Sequence, residues 1–236
     1  MQIKNSVVFV TGASRGLGRA FAREALARGA AKVYAGVRNP EGFDEPGIIP
    51  VKFDVTDPES VAAAAKFASD TTLLVNNAGI AEVTESLFSV NTEEQSRRFF
   101  ETNYYGVMRT TSAFQALLPN DGKGGIINVL SDATWSVIPF LAPYAASKAA
   151  AWSYTNNARA VLKERDIQVV ALHVGLMDTD LTKAFDAPKS SPADVVRQTF
   201  DALESGESEV LADAGTRALK QTLSAKVPAY IDPAAR

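Results

Sequence analysis

The chain has 236 residues, a formal net charge of −3, 46% hydrophobic residues, one histidine and no cysteine. This suits one large domain with an ample core; it offers no basic stripe for nucleic acid, no disulfide framework or thiolate nucleophile, and too few ligands for a zinc site, so no metal is expected. No apolar run is long enough to span a membrane, and residues 1–5 lead straight into a strand without a signal-peptide pattern, so a cytoplasmic protein without membrane contact is expected.

In chain order, Val7-Val8-Phe9-Val10 reads as a buried strand. Thr11-Gly12-Ala13-Ser14-Arg15-Gly16-Leu17-Gly18 follows. Residues 19–28 then carry Phe21, Ala25 and Leu26 at helical spacing before the C-cap Gly29. Strand, glycine turn and helix together suit a pyrophosphate. Glycines let the backbone turn and approach closely, and the helix N-terminus offers free N–H groups and partial positive charge. A second strand is expected over 32–36. A carboxylate at its end would hold a free ribose 2′-hydroxyl, but Arg38 stands there instead, with Arg15 in the glycine loop. A guanidinium suits a phosphate through paired, charge-assisted hydrogen bonds, so NADP(H) is expected over NAD(H). Glu41, Asp44 and Glu45 would weaken such a site if they folded toward it.

A third strand over 49–53 precedes Asp54-Val55, and a fourth over 73–76 ends in Asn76-Asn77-Ala78-Gly79. Small residues there let a flat ligand lie against the backbone, in the crevice where open parallel sheets bind ligands. A long helical stretch over 92–118 contains Asn103, with Gly106 three residues on. Asn is a poor helix-interior residue, so a kink or a bound water is expected.

The fifth strand, 125–130, leads to Ser131, and thirteen residues later Tyr144-Ala145-Ala146-Ser147-Lys148 opens a helix running to 163. Residues four apart share a helix face. A free phenol titrates near ~10, and a nearby cation favours the phenolate. Lys148 is therefore expected to lower Tyr144 toward a value useful for general acid–base work. Ser131 can hydrogen-bond the same substrate oxygen. Asp132 would oppose a developing oxyanion if it pointed inward, so it is expected to face away or cap a turn. Ser136 is a rival pocket serine, and Ser147 is expected to be structural or near the cofactor. Strands over 168–174 and 209–212 and a helix over 216–223 complete the chain. Strands alternating with helices predict an α/β, single-domain Rossmann fold, a doubly wound seven-stranded parallel sheet with helices on both faces. The domain is expected over 1–225, with an extended or loosely ordered tail over 226–236.

Together these segments resemble the short-chain dehydrogenase/reductase family over residues 7–213. The resemblance implies that Gly12, Ser14, Arg15, Gly16, Leu17 and Gly18 bind the dinucleotide, with Asn77, Ala78 and Gly79 beside it and Asp54 and Val55 at the adenine. It implies that Gly175, Met177 and Thr179 contact the nicotinamide or phosphates. It also implies a tetrad of Asn103, Ser131, Tyr144 and Lys148, with Lys148 holding the nicotinamide ribose and Asn103 a water. The activity so implied is that of an NADPH-dependent carbonyl reductase or alcohol dehydrogenase; the alternative is a dinucleotide-binding sensor or scaffold without turnover. The chain departs from the family in four places. Residues 38–48 are too short for the usual helix and read as turns. Val174-Gly175 replaces Pro-Gly. The substrate-side stretch 181–192, with Phe185, is short. The C-terminal Asp-Gly-Gly is absent, which puts a tetramer in doubt and leaves a homodimer through the two long helices. Trp135, Phe140, Leu141, Val83 and Phe88 are candidates for an apolar pocket favouring an apolar or aromatic carbonyl. Val137 and Ile138 are expected in the core, and Lys183 and Lys189 are candidate anchors for an acidic substrate.

Overall fold

The computed structural model describes residues 1–179 and 186–233. Seven strands form one sheet: β1 (Val7–Thr11), β2 (Lys32–Val37), β3 (Ile49–Lys52), β4 (Leu73–Asn76), β5 (Gly124–Val129), β6 (Ile167–His173) and β7 (Glu209–Leu211). Their order is β3-β2-β1-β4-β5-β6-β7, and every pairing is parallel. The order reverses direction between β1 and β4, which opens a crevice at their carboxyl ends. The expected doubly wound fold is therefore present.

Strand alternation divides the core into two layers. Val8 and Val10 face a cluster with Phe21, Phe200 and Leu203, which belong to α1 (Gly16–Ala27) and α6 (Pro192–Glu204). Phe9 faces the opposite cluster, with Tyr34, Phe53 and Phe114. Its ring lies 5.3 Å from Phe53 and 4.6 Å from Phe114, centroid to centroid. A Cβ on Gly36 would stand 3.0 Å from Phe9, so the bare glycine makes room for this aromatic group.

The helices differ from the sequence pattern in three ways. α1 begins at Gly16, inside the glycine loop, because the turn is itself the first helical turn. The long helical stretch is α3 (Thr92–Phe100), a π-helical turn over Glu101–Tyr105 and α4 (Gly106–Phe114). The expected kink at Asn103 is thus an inserted residue in the helix, and the helix stops at Phe114. A further helix, α2 (Pro58–Phe67), is capped by Asp57, which accepts from the Glu59 N–H at 2.9 Å. Between β2 and β3 lies only a 3₁₀ turn, Pro40–Gly42, as expected.

α5 (Ala142–Leu162) carries the Tyr144-to-Lys148 turn. α7 (Ala214–Thr222) starts at Asp213, whose carboxylate accepts from the Thr216 N–H at 2.8 Å. The stretch after it does not simply extend: Ala229 is buried against Trp135 and Leu219. Among the described residues, no helix is long and apolar enough to cross a membrane. Lys183 and Phe185 lie outside the described residues.

Phe21 and Phe200 meet edge to face at 5.4 Å and join α1 to α6. Phe200→Ala should cost about 3–5 kcal/mol. Denaturant unfolding should show a lower midpoint with an unchanged slope.

Candidate active site

The carboxyl ends of β1 and β4 are joined by side chains. Thr11 Oγ1 accepts from the N–H groups of Asn77 and Ala78, each at 2.9 Å. Asn77 Nδ2 donates back to the carbonyls of Thr11 at 2.9 Å and Gly12 at 3.2 Å. Gly12 and Gly16 have φ of +65° and +55°, in the left-handed region that favours glycine. A Cβ on Gly12 would stand 2.9 Å from Ala78 Cα, and one on Gly18 would stand 2.3 Å from the Gly12 carbonyl oxygen. These glycines form a cradle that any larger side chain would fill. Among the described residues, no N-cap side chain caps α1, and no acidic residue lies in its first turn. A helix N-terminus of this kind at the crevice suits an anion.

This crevice holds a cleft of about 340 Å³. All the sequence-predicted cofactor residues line it except Gly175. Gly175 stands behind, its N–H donated to Asp213 at 2.9 Å. Gly36, Val37, Ile80 and Thr102 also line the cleft; sequence reading did not single them out as cofactor residues. Arg15 and Arg38 are exposed at its rim. Glu45 does not fold toward them: it pairs with Arg19 at 2.8 Å and Arg23 at 2.7 Å, both on α1.

Burial would raise the Asp54 carboxyl. Hydrogen bonds from the Thr56 N–H and hydroxyl, at 2.9 and 2.8 Å, outweigh it, helped by the charges of Arg38 and Arg109, and hold the group below its ordinary value. Val55 is pinned from the far side. Arg109 donates to its carbonyl and to Glu101 at 2.8 Å, and a Cβ on Gly106 would stand 2.9 Å from Val55 Cβ. Arg109 and Glu101 were not legible as site residues, since their partner is a backbone carbonyl across 54 residues.

At the cleft's other end the tetrad converges. The π-helical turn aims the fully buried Asn103 inward. Its amide accepts from Ile80 N–H and donates to Ile80 C=O, both at 2.9 Å, and donates to Ser147 Oγ at 3.0 Å. Ser147 in turn donates to the Tyr144 carbonyl at 2.7 Å. Asn103 therefore ties the segment after β4 to α5, and Ser147 is structural.

Lys148 is only 5% exposed and donates to the Val129 carbonyl at 2.9 Å. Burial pushes its ammonium down to about 8. Its Nζ lies 5.8 Å from the Tyr144 ring centroid. The Tyr144 phenol is pushed up to about 12, chiefly by desolvation and further by the Asp132 charge, while a hydrogen bond with Ser131 pulls the other way. The expected lowering by Lys148 is absent in the chain alone. Lys148 serves a backbone carbonyl, and desolvation of the phenol dominates.

Asp132 does not face away. Its Oδ1 lies 3.3 Å from Ser131 Oγ, and its Oδ2 stands 3.2 Å from where a Gly175 Cβ would be. Ser131 rather than Asp132 caps the short turn, accepting from the Ala133 N–H at 3.1 Å. Trp135 is buried, stacked on His173 at 4.0 Å, and is core rather than pocket. Val137 is 41% exposed instead of buried, because the segment leaves the core after Trp135. Phe140 and Val83 are both exposed, and Thr84, next to Val83, donates its N–H to the Phe140 carbonyl at 2.8 Å.

A parallel sheet with a glycine cradle at its switch point and a Tyr/Lys/Ser group at one end of the cleft defines a dinucleotide-dependent oxidoreductase. A family profile described as short chain dehydrogenase matches residues 6–190. The chain is 39% identical to a short chain dehydrogenase from Burkholderia cenocepacia whose crystal structure is a complex with NADP. The TM-score is 0.90, covering 96% of this chain and 95% of that one. It is 32% identical to the 3-oxoacyl-(acyl-carrier-protein) reductase of Vibrio cholerae over 79% of each. It is also 32% identical to dehydrogenase/reductase SDR family member 7B of Bos taurus, over 76% of this chain but 60% of that protein's length. The chain belongs to the short-chain dehydrogenase/reductase family, whose members are oxidoreductases that bind a nicotinamide cofactor.

His173 backs the site from β6. Its Nδ1 lies 3.1 Å from the Ser131 carbonyl, and burial pushes it down to about 4. The native state keeps it neutral, whereas the unfolded chain protonates near the ordinary 6.5. Its contribution is whole above that value and is lost as pH falls toward about 4, up to roughly 3 kcal/mol. Chemical denaturation across this window should therefore show a steeper acid loss for wild type than for His173→Gln.

Proposed function

We propose that this protein is an NADPH-dependent carbonyl reductase, working in reverse as an alcohol dehydrogenase, with Tyr144 as general acid and base. One observation carries the reading: Tyr144 and the buried Lys148 line the same cleft as the glycine cradle. The cradle fits a dinucleotide, since its backbone approaches where no side chain fits. Arg15 and Arg38 at the rim would take the 2′-phosphate through charge-assisted bonds, and the NADP complex of the Burkholderia relative supports the same cofactor. Bound NADPH supplies the hydride.

The protein does the rest. A phenol near 12 keeps its proton at neutral pH and can donate it to the substrate oxygen as negative charge develops there. Lys148 then faces the phenolate so formed. The Val129 carbonyl orients its ammonium. Asn103 holds Ile80 and the Tyr144 turn at fixed separation. An apolar or aromatic substrate is proposed from the apolar residues that flank Tyr144 in sequence, Phe140 and Leu141, whereas Val83 lines a separate pocket. The same reading includes a homodimer through α3–α4 and α5, where Tyr105 is 46% exposed.

NADPH consumption with aliphatic and aromatic carbonyls should be measured in wild type and Tyr144→Phe. The variant should lose roughly 10²–10⁴-fold in turnover while still binding NADPH. NADPH binding without any turnover in wild type would indicate a binding protein instead. Arg38→Ala should weaken NADPH by roughly tenfold or more and leave NADH nearly unchanged, as loss of a hydrogen bond to a charged group predicts; isothermal titration separates the two.

A further inference from the structure

The guanidinium of Arg109 holds two groups at once. One nitrogen donates to the Val55 carbonyl, and another to the Glu101 carboxylate at 2.8 Å. Val55 and its neighbour Asp54 line one stretch of the cleft. Glu101 opens the π-helical turn, whose next two residues are Thr102, which also lines the cleft, and the fully buried Asn103. Arg109 itself lies further along, on α4. It therefore braces the π-helical turn from behind, with one end of the brace on the segment after β3.

Backbone packing makes this contact stiff. Gly106, the first residue of α4, meets Val55 without a side chain, and a Cβ there would stand 2.9 Å from both Val55 Cβ and Cγ2. Close-packed groups pass a displacement on rather than absorb it. Beyond the turn, Asn103 accepts from the Ile80 N–H and donates to Ile80 C=O and Ser147. A Cβ on Gly79 would stand 3.2 Å from Asn103 Oδ1 and 3.5 Å from Lys148 Nζ. Asn103 and Lys148 thus flank one small residue. A shift of Val55 reaches them through Arg109, Glu101 and a single turn of helix. A π-helical insertion is an irregularity that helices keep most often at functional sites.

Remote parts of a reactant can supply binding energy that orients the reacting part. We propose that Arg109 and Glu101 are positioning residues that carry occupation of the Asp54 and Val55 end of the cleft to Asn103, so that the adenine nucleotide half of the cofactor orders the catalytic end for the nicotinamide half. This rests on the proposed cofactor reading, in which Asp54 and Val55 meet the adenine. The fork of Arg109 is suited to the task. It serves a carbonyl and a carboxylate together, whereas a lysine in its place brings one point charge.

The probe is adenosine 2′,5′-bisphosphate, the adenine half alone. Amide exchange at Ile80, whose N–H is held by Asn103, reports on the catalytic end without turnover. Saturating bisphosphate should slow that exchange roughly fivefold or more in wild type. Glu101→Gln has the same size and leaves Arg109 on Val55. It should still bind the bisphosphate, measured by calorimetry, but lose the slowing. Arg109→Lys should lose the slowing as well. With NADPH and aliphatic and aromatic carbonyls, Glu101→Gln should lower kcat by a similar factor and leave the KM for NADPH nearly unchanged. A purely structural role would lower Tm and leave kcat per folded molecule alone.

Bisphosphate that binds wild type without slowing exchange at Ile80, or slows it equally in Glu101→Gln, overturns the proposal while the cofactor reading stands. A wild-type kcat that Glu101→Gln leaves intact does the same. Binding of NADPH without binding of the bisphosphate also overturns it. Failure to bind either one overturns the cofactor reading with it. Absence of turnover, with exchange slowed in wild type but not in Glu101→Gln, overturns the reductase reading and upholds the link.

Discussion

The site depends on how two strand ends are closed. At the switch point β1 and β4 run side by side, but the chain beyond them leaves in opposite directions, so no strand ladder can satisfy the backbone there. Thr11 and Asn77 do it instead, the first accepting two N–H groups and the second donating to two carbonyls. That closure holds the glycine loop against Ala78 at the N-terminus of α1. The same logic continues deeper in the sheet. Asn76 joins Thr111 at 3.0 Å and Asn128 at 2.8 Å, and Asn128 joins Thr155 at 2.9 Å. A row of buried amides and hydroxyls thus pins the helices on one face to the strand ends. Each buried polar group in the row has a partner, and an unmade bond there would be costly.

Burial then sets the electrostatics. Lys148 and Tyr144 both lose water, and each moves toward its neutral form: the ammonium falls and the phenol rises. At neutral pH the phenol keeps its proton and Lys148, at about 8, remains mostly an ammonium. Around them the charges are placed unevenly. Cations gather at the rim, at Arg15 and Arg38, while Asp132 and Asp213 flank Gly175 at the inner end. A ligand lying along the cleft therefore meets positive charge at its rim.

The sequence alone was enough for the sheet, its parallel direction and most of the residues around the cleft. Those signals are local: strand runs of apolar residues, a glycine turn opening a helix, two side chains four apart. The fold brings Gly12, Asp54, Asn77 and Thr179 to one cleft because they sit at or just beyond the carboxyl ends of parallel strands, and α5 carries Tyr144 to the same cleft. Strand periodicity already dictates that placement.

Tertiary structure decided what periodicity cannot carry. The direction of a side chain on a short irregular turn depends on its neighbours across the sheet, so Asp132 faces Ser131 because Gly175 leaves it room. Trp135 is core because His173 and Leu219, remote in sequence, cover it. The ionisation of Tyr144 follows burial rather than the nearby lysine, since desolvation is a property of the whole surrounding volume and Lys148 is turned to a strand carbonyl. Residue identity and spacing determined which groups meet; only the packed chain determined which way they point and how much water they keep.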